Sequence, residues 1–186
     1  MINQLIIKGF KSFVDKSINF NQLNVLTGLN SSGKSTVIQA LQILNKYSRH
    51  FENPLIEGHG DYKELQNPFS SLPFSINAKY GEHGIICYSP QKENNIHTEE
   101  FPDLIVISAD RYGPLVSIPL LSDCELGSRG ENVIKCIRVH ENDILDKLIT
   151  HPNSEGDTFL YNLRAWLGTI TPGVQFNYDI IDKADT

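Results

Sequence analysis

"VLTGLNSSGKSTVIQALQIL", residues 25–44, passes from an apolar run through a glycine turn into a helical pattern. Its centre, Gly28-Leu29-Asn30-Ser31-Ser32-Gly33-Lys34-Ser35, fits G-x-x-x-x-G-K-[ST], the spacing of a phosphate-binding loop. Gly28 lets the chain leave the preceding strand in a conformation closed to residues with a Cβ. Residues 31–35 are expected to turn their N–H groups inward as an anion nest, with Gly33 allowing close approach of backbone to phosphate. The helix that follows adds its positive N-terminal end. In this arrangement Lys34 reaches the β and γ phosphates and Thr36 hydrogen-bonds the α phosphate. The Ser35 hydroxyl is the expected Mg²⁺ ligand, because this hard ion takes few protein oxygens. Val37, Ala40, Leu41, Leu44 and Tyr47 recur at three- and four-residue spacings, which gives the helix one apolar face and an end near Ser48-Arg49-His50.

Outward from this loop, "NQLIIKGF" and "KSINF" read as two strands of a hairpin joined by "KSFVD", and "QLNVLTG" as a third strand ending at Gly28. Residues 51–73 are rich in turn formers and read as irregular. "FSINAKYGEHGIICYSP" reads as two strands around a turn at Gly81–Gly84, and Leu104–Ser108 as a buried strand. Residues 111–130 read as loop. "ENVIKCIRVH", "NDILDKLI" and "TFLYNLRAWLGTI" look helical, with Asn142 and Asp157 as caps, and "VQFNYDII" reads as a last strand. The expected division is a P-loop lobe over 1–110 and a mainly helical region over 111–186.

The chain has 186 residues, enough for a core without staples, and its 40% hydrophobic and 20% charged content is globular. A net charge of -6 argues against a dedicated nucleic-acid coat, though not against a local basic patch. No run approaches the roughly 18 apolar residues of a membrane span. Cys87, Cys124 and Cys136 form no C-x-x-C pair, which fits a reducing cytoplasm. The six histidines show no H-x-H or H-E-x-x-H spacing and read as surface or satisfied residues. His59, Asp61 and Glu64 read as a solvated cluster, and Phe159, Leu163 and Trp166 as an aromatic stripe for core packing or a partner helix.

A phosphate loop does not choose among kinases, GTPases and ATPases. The near match to a guanine-reading motif, Asp182-Lys183-Ala184-Asp185, has Asp where Asn is required. Arg111, Arg129, Arg138 and Arg164 are scattered and form no obvious kinase lid.

The segment from Leu5 to Leu44 is more selective. Gly9-Phe10-Lys11-Ser12-Phe13 precedes a loop of the form G-x-N-[GSA]-[SA]-G-K-[ST], with Asn30 in the Asn position. This resembles the opening of ABC-type ATPases of the SMC, RecF and OLD branch. "PLIEGHGDYKELQ", "VISADRYGP" and "LGSRGENVIKCI" resemble segments of OLD-like, AAA-like ATPases from bacterial defence modules. The resemblance implies an α/β P-loop NTPase, an ABC-ATPase head with a mixed sheet, an antiparallel β lobe and a helical C-terminal region. It implies ATP and Mg²⁺ as ligands. The implied nucleotide-binding residues are Lys11, Ser12, Asn30, Ser31, Ser32, Gly33, Lys34, Ser35 and Thr36, with Ser35 on the metal. Two heads, a copy of itself or a second ATPase half, would be joined by nucleotide, with DNA or an effector nuclease as further partners and no membrane.

Such an ATPase hydrolyses ATP with a Walker B Asp-Glu pair and a signature loop from the partner head. Asp110 follows an apolar run but precedes Arg111 rather than Glu, so it is a candidate either for that acid or for a structural salt bridge with Arg111. "LGSRGE", 126–131, resembles a signature loop faintly or forms a surface turn before a helix. No confident catalytic residue emerges, and the chain reads as the N-terminal part of an ATPase head. A non-catalytic nucleotide-binding regulatory module and a small phosphotransferase remain the alternatives.

Overall fold

The computed structural model describes residues 1–56, 58–90, 96–110 and 126–178. Contacts divide the chain into two compact units, Met1–Leu104 and Ile105–Thr186.

The first unit is one antiparallel sheet with a helix on its face. Strands β1 (Ile2–Phe10), β2 (Phe13–Asn19), β3 (Ser75–Tyr80), β4 (Gly84–Tyr88) and β5 (Ile96–His97) lie in the order β2-β1-β3-β4-β5. Register follows the alternation of apolar side chains. Leu5 stands opposite Ala78 and Ala78 opposite Ile86, while Ile7 stands opposite Ile76 and Ile76 opposite Tyr88. A strand presents alternate residues to one face, so these two rows form a single apolar surface. Helix α1 (Lys34–Ser48) lays Val37, Ala40, Ile43 and Leu44 on that surface, and Phe10, Leu65, Phe74 and Phe101 complete the core. Each such side chain contributes about 1.5–3 kcal/mol by leaving water. The helix has the face and end expected of it, with Ile43 added. The turn at Gly81–Gly84 is also as expected.

Other expectations are corrected. The hairpin turn is Lys11–Ser12 alone, because Phe10 pairs with Phe13, so Phe13–Asp15 belong to β2 rather than to the connection. Residues 22–28 form no strand. Residues 22 and 23 bend, 24–28 have no regular structure, no strand runs beside them among the described residues, and Leu23 and Val25 are 81% and 76% exposed. An apolar run becomes a strand only when its backbone groups find a ladder. The sheet is therefore wholly antiparallel among the described residues, not mixed. The irregular stretch 51–73 contains a short helix α2 (Tyr62–Leu65). Asp61 accepts from the Lys63 and Glu64 N–H groups while Glu64 accepts from the Asp61 N–H, a capping box that gives these two acids a structural task rather than a merely solvated one.

Leu104–Ser108, expected as a buried strand, runs from the end of the first unit into the second; it has no ladder partner among the described residues, and Ile105 and Ile107 face solvent. Helices α3 (Val133–His140) and α4 (Phe159–Ile170) form as expected. "NDILDKLI" does not become a helix. Ile144 bridges to Thr158, and Asp146 draws its side chain onto the Leu148 N–H, so the backbone is spent on turns. Asn142 consequently caps no helix, and the N-cap of α4 is Thr158, not Asp157. Residues 174–178 are not a strand, and the remainder of that expectation lies outside the described residues. Cys124, Arg111 and the Asp182–Asp185 motif also lie outside them. No helix is long and apolar enough to cross a membrane among the described residues.

Candidate functional site

The β1–β2 turn and the phosphate loop meet at the N-terminal end of α1. Lys11, Ser12, Asn30, Ser31, Gly33, Lys34, Ser35 and Thr36 line one cavity of about 340 Å³ there. Eight of the nine residues expected to bind nucleotide are thus brought together; Ser32 does not line the cavity. Among the described residues the lining holds two lysines, four hydroxyls, an amide and a glycine, with no carboxylate and no large apolar side chain. Such a concavity favours an anion.

Contacts between the two elements explain the shape. Gly33 has φ +97°, a conformation L side chains rarely adopt, and a Cβ there would stand 2.5 Å from Phe13 Cζ and 2.9 Å from Ser12 Oγ. The glycine therefore lets the hairpin corner lie directly on the loop. Ser12 Oγ lies 3.4 Å from Thr36 Oγ1, a hydroxyl pair in which either can donate, and Thr36 is buried in the first turn of α1.

The loop is braced from within. Lys34 Nζ donates to the carbonyls of Gly28 (2.8 Å) and Leu29 (2.7 Å). The Ser32 N–H donates to Leu29 O at 3.2 Å, closing a turn. That N–H is engaged within the loop rather than turned toward an anion, a departure from the expected nest. Ser31 takes φ +63°, consistent with a backbone curled as a nest requires.

Lys11 carries the corner's charge. Its Nζ donates to Gln39 Oε1 on α1 at 2.7 Å, and burial lowers its pKa from the ordinary lysine value. Gln39 was not among the residues singled out from sequence. Its spacing, one turn beyond Ser35 and Thr36 on the same helix, is the signal that could have found it.

Asp110 pairs with Arg129 at 3.3 Å on the surface of the second unit, and the expected pairing with Arg111 falls outside the described residues. The 126–131 stretch is a turn: the Gly130 N–H donates to Gly127 O, and Ser128 O accepts from the Ser108 N–H. In the same unit Asn162, missed from sequence, is wholly buried. Its Oδ1 accepts from the His151 N–H at 2.7 Å, and its Nδ2 donates to Gly156 O and Thr158 O. Trp166 stacks edge-on to His151 and donates to Ile149 O, so the expected aromatic stripe packs within this unit in part.

A family model described as an AAA ATPase domain matches residues 1–163. No curated protein matches the chain.

Proposed function

Since the chain belongs to the family of AAA ATPase domains, we propose that the cavity between the β1–β2 turn and the phosphate loop is its ATP–Mg²⁺ site. The observation that carries this is the lining itself: two ammonium groups and four hydroxyls converge at a helix N-terminus. Lys34 and Lys11 would hold the polyphosphate, the 34–36 N–H groups and Thr36 would orient it, and Ser35 would supply the one protein oxygen to Mg²⁺. A magnesium ion held by Ser35 would supply positive charge to the phosphate oxygens.

Within the family we place the chain in the SMC, RecF and OLD-like branch, on the Gly9–Phe13 corner and Asn30. We assign the acid that orients the attacking water to another segment or a second ATPase half, on the same resemblance. Two heads closing on ATP would act as a switch, and DNA repair or phage defence, acting on DNA or an effector nuclease in the cytoplasm, is the setting we infer from the branch. Calorimetric titration with ATP–Mg²⁺ tests the site: the 186-residue chain binds, and Lys34→Ala does not. Turnover of ATP by this chain alone should be slow or nil. Robust turnover abolished by Lys34→Ala would sink the assignment of that acid to another segment or half.

A further inference from the structure

Lys11 sits where a side chain is poorly tolerated. It is the first position of a two-residue hairpin turn and takes φ +48°. Turns of this kind favour Gly, Asn or Asp at that position, because a lysine there is strained. Strain persists only where the surroundings over-determine the conformation, and here they do so through one segment.

The stretch Leu65–Asn67 runs antiparallel to Gly9–Lys11. The Lys11 N–H donates to Leu65 O at 2.8 Å, Phe10 bridges to Gln66, and the Asn67 N–H donates to Gly9 O at 2.8 Å. Asn67 then closes the clamp with its side chain, whose Nδ2 donates to Lys11 O at 2.6 Å. Both backbone polar groups of Lys11 are held by this segment. Asn67 is only 3% exposed, and its Oδ1 accepts from the Phe69 N–H at 2.9 Å, which fixes the amide's orientation. The segment is itself anchored: Leu65 is in the core at the end of the capped α2, and Gln66 bonds Ser70 O, Leu72 O and the Phe74 N–H. Asn67 does not line the cavity, so it touches no ligand there.

We propose that Asn67 is a positioning residue for the nucleotide site, holding Lys11 in its left-handed conformation so that its ammonium, seated on Gln39, faces the cavity beside Lys34. The proposal rests on the nucleotide reading above. Without the Asn67 amide, Lys11 relaxes to negative φ, the Cα–Cβ direction swings, and the ammonium leaves the cavity.

Titration of ATP–Mg²⁺ into the wild-type chain, Asn67→Ser, Lys11→Met and the double variant tests this. Serine can still accept from the Phe69 N–H in a short local turn but cannot reach Lys11 O. Asn67→Ser should weaken ATP binding roughly tenfold, the loss given by one well-made buried hydrogen bond acting through one charge. In the Lys11→Met background the same change should have less than about a twofold effect, because the group through which Asn67 acts is gone. Equal weakening in both backgrounds, or a lowered melting temperature with unchanged affinity, would show a purely structural role and overturn the proposal. If Asn67→Ser does not fold, the isosteric Asn67→Asp replaces it in the same cycle with the same criteria. Failure of the wild-type chain to bind ATP overturns the nucleotide reading and this inference together, whereas ATP binding indifferent to Asn67 overturns this inference alone.

Discussion

Replacing Gly33 by alanine puts one methyl group at the closest contact between hairpin and phosphate loop. Two costs can be worked out separately. At φ +97° an alanine is strained by roughly 1–2 kcal/mol. Its Cβ would also stand 2.5 Å and 2.9 Å from two ring carbons of Phe13. Carbon–carbon contacts sit near 3.5–4.0 Å, so the ring must retreat by about an ångström. Overpacking of this kind costs roughly 1–3 kcal/mol. The sum, about 2–5 kcal/mol, is a large share of the roughly 5–15 kcal/mol that stabilises an ordinary domain. Only the second cost can be relieved elsewhere. Phe13→Ala removes the ring the methyl would strike, so in a double-mutant cycle the two changes should be less than additive by about 1–2 kcal/mol. Urea unfolding followed by far-ultraviolet circular dichroism measures all four proteins. ATP–Mg²⁺ binding should be lost in Gly33→Ala, because Lys11 and Ser12 move with Phe13 on the same turn. A Gly33→Ala loss below about 0.5 kcal/mol, or strict additivity with Phe13→Ala, would refute the close hairpin–loop packing on which the site depends.

Three further outcomes follow from the site and its surroundings. Ser35→Ala should remove the Mg²⁺ dependence of ATP binding, so that titrations with and without the ion give the same affinity. Burial lowers the Lys11 pKa, so the folded state releases that proton before the unfolded state as pH rises. The cost of the buried charge is thus present at neutral pH and is relieved between the folded and unfolded pKa values, and stability relative to Lys11→Met should rise through that window. ATP affinity should move the opposite way, falling on the alkaline side from below the ordinary lysine range, and Lys11→Met should lack that limb. Asn162→Ala should destabilise the second unit by about 1–3 kcal/mol in urea unfolding, because it leaves the buried His151 N–H without its acceptor, while Gly156 O and Thr158 O each keep a second donor in Ser154 Oγ and the residue 162 N–H; Asn162→Asp, which sets a carboxylate against those two carbonyls in the same buried place, should lose at least as much.

What the sequence revealed and what it concealed divide along a physical line. The phosphate loop, α1 and the β3–β4 turn were legible because local residues decide them: glycines at left-handed positions, an apolar stripe at helical spacing, two alternating runs around Gly81–Gly84. The Lys11–Ser12 corner was legible only by resemblance, since nothing local in "GFKSF" says that a lysine will hold φ +48°. That conformation is imposed by Asn67, 56 residues away along the chain. Asn162 was hidden for a related reason, because an asparagine inside a helical pattern reads as a surface residue until the buried turn at His151 calls for its amide. The expected strands at 22–28 and 104–108 failed on the opposite count. Their apolar residues mark them as strands, but a strand is a relation between two segments, and the described residues supply no second one. A ladder on residues 24–28 would set the direction in which the chain enters Gly28, and the loop's own bonds, Lys34 to Gly28 O and Leu29 O, would then be loaded from one side.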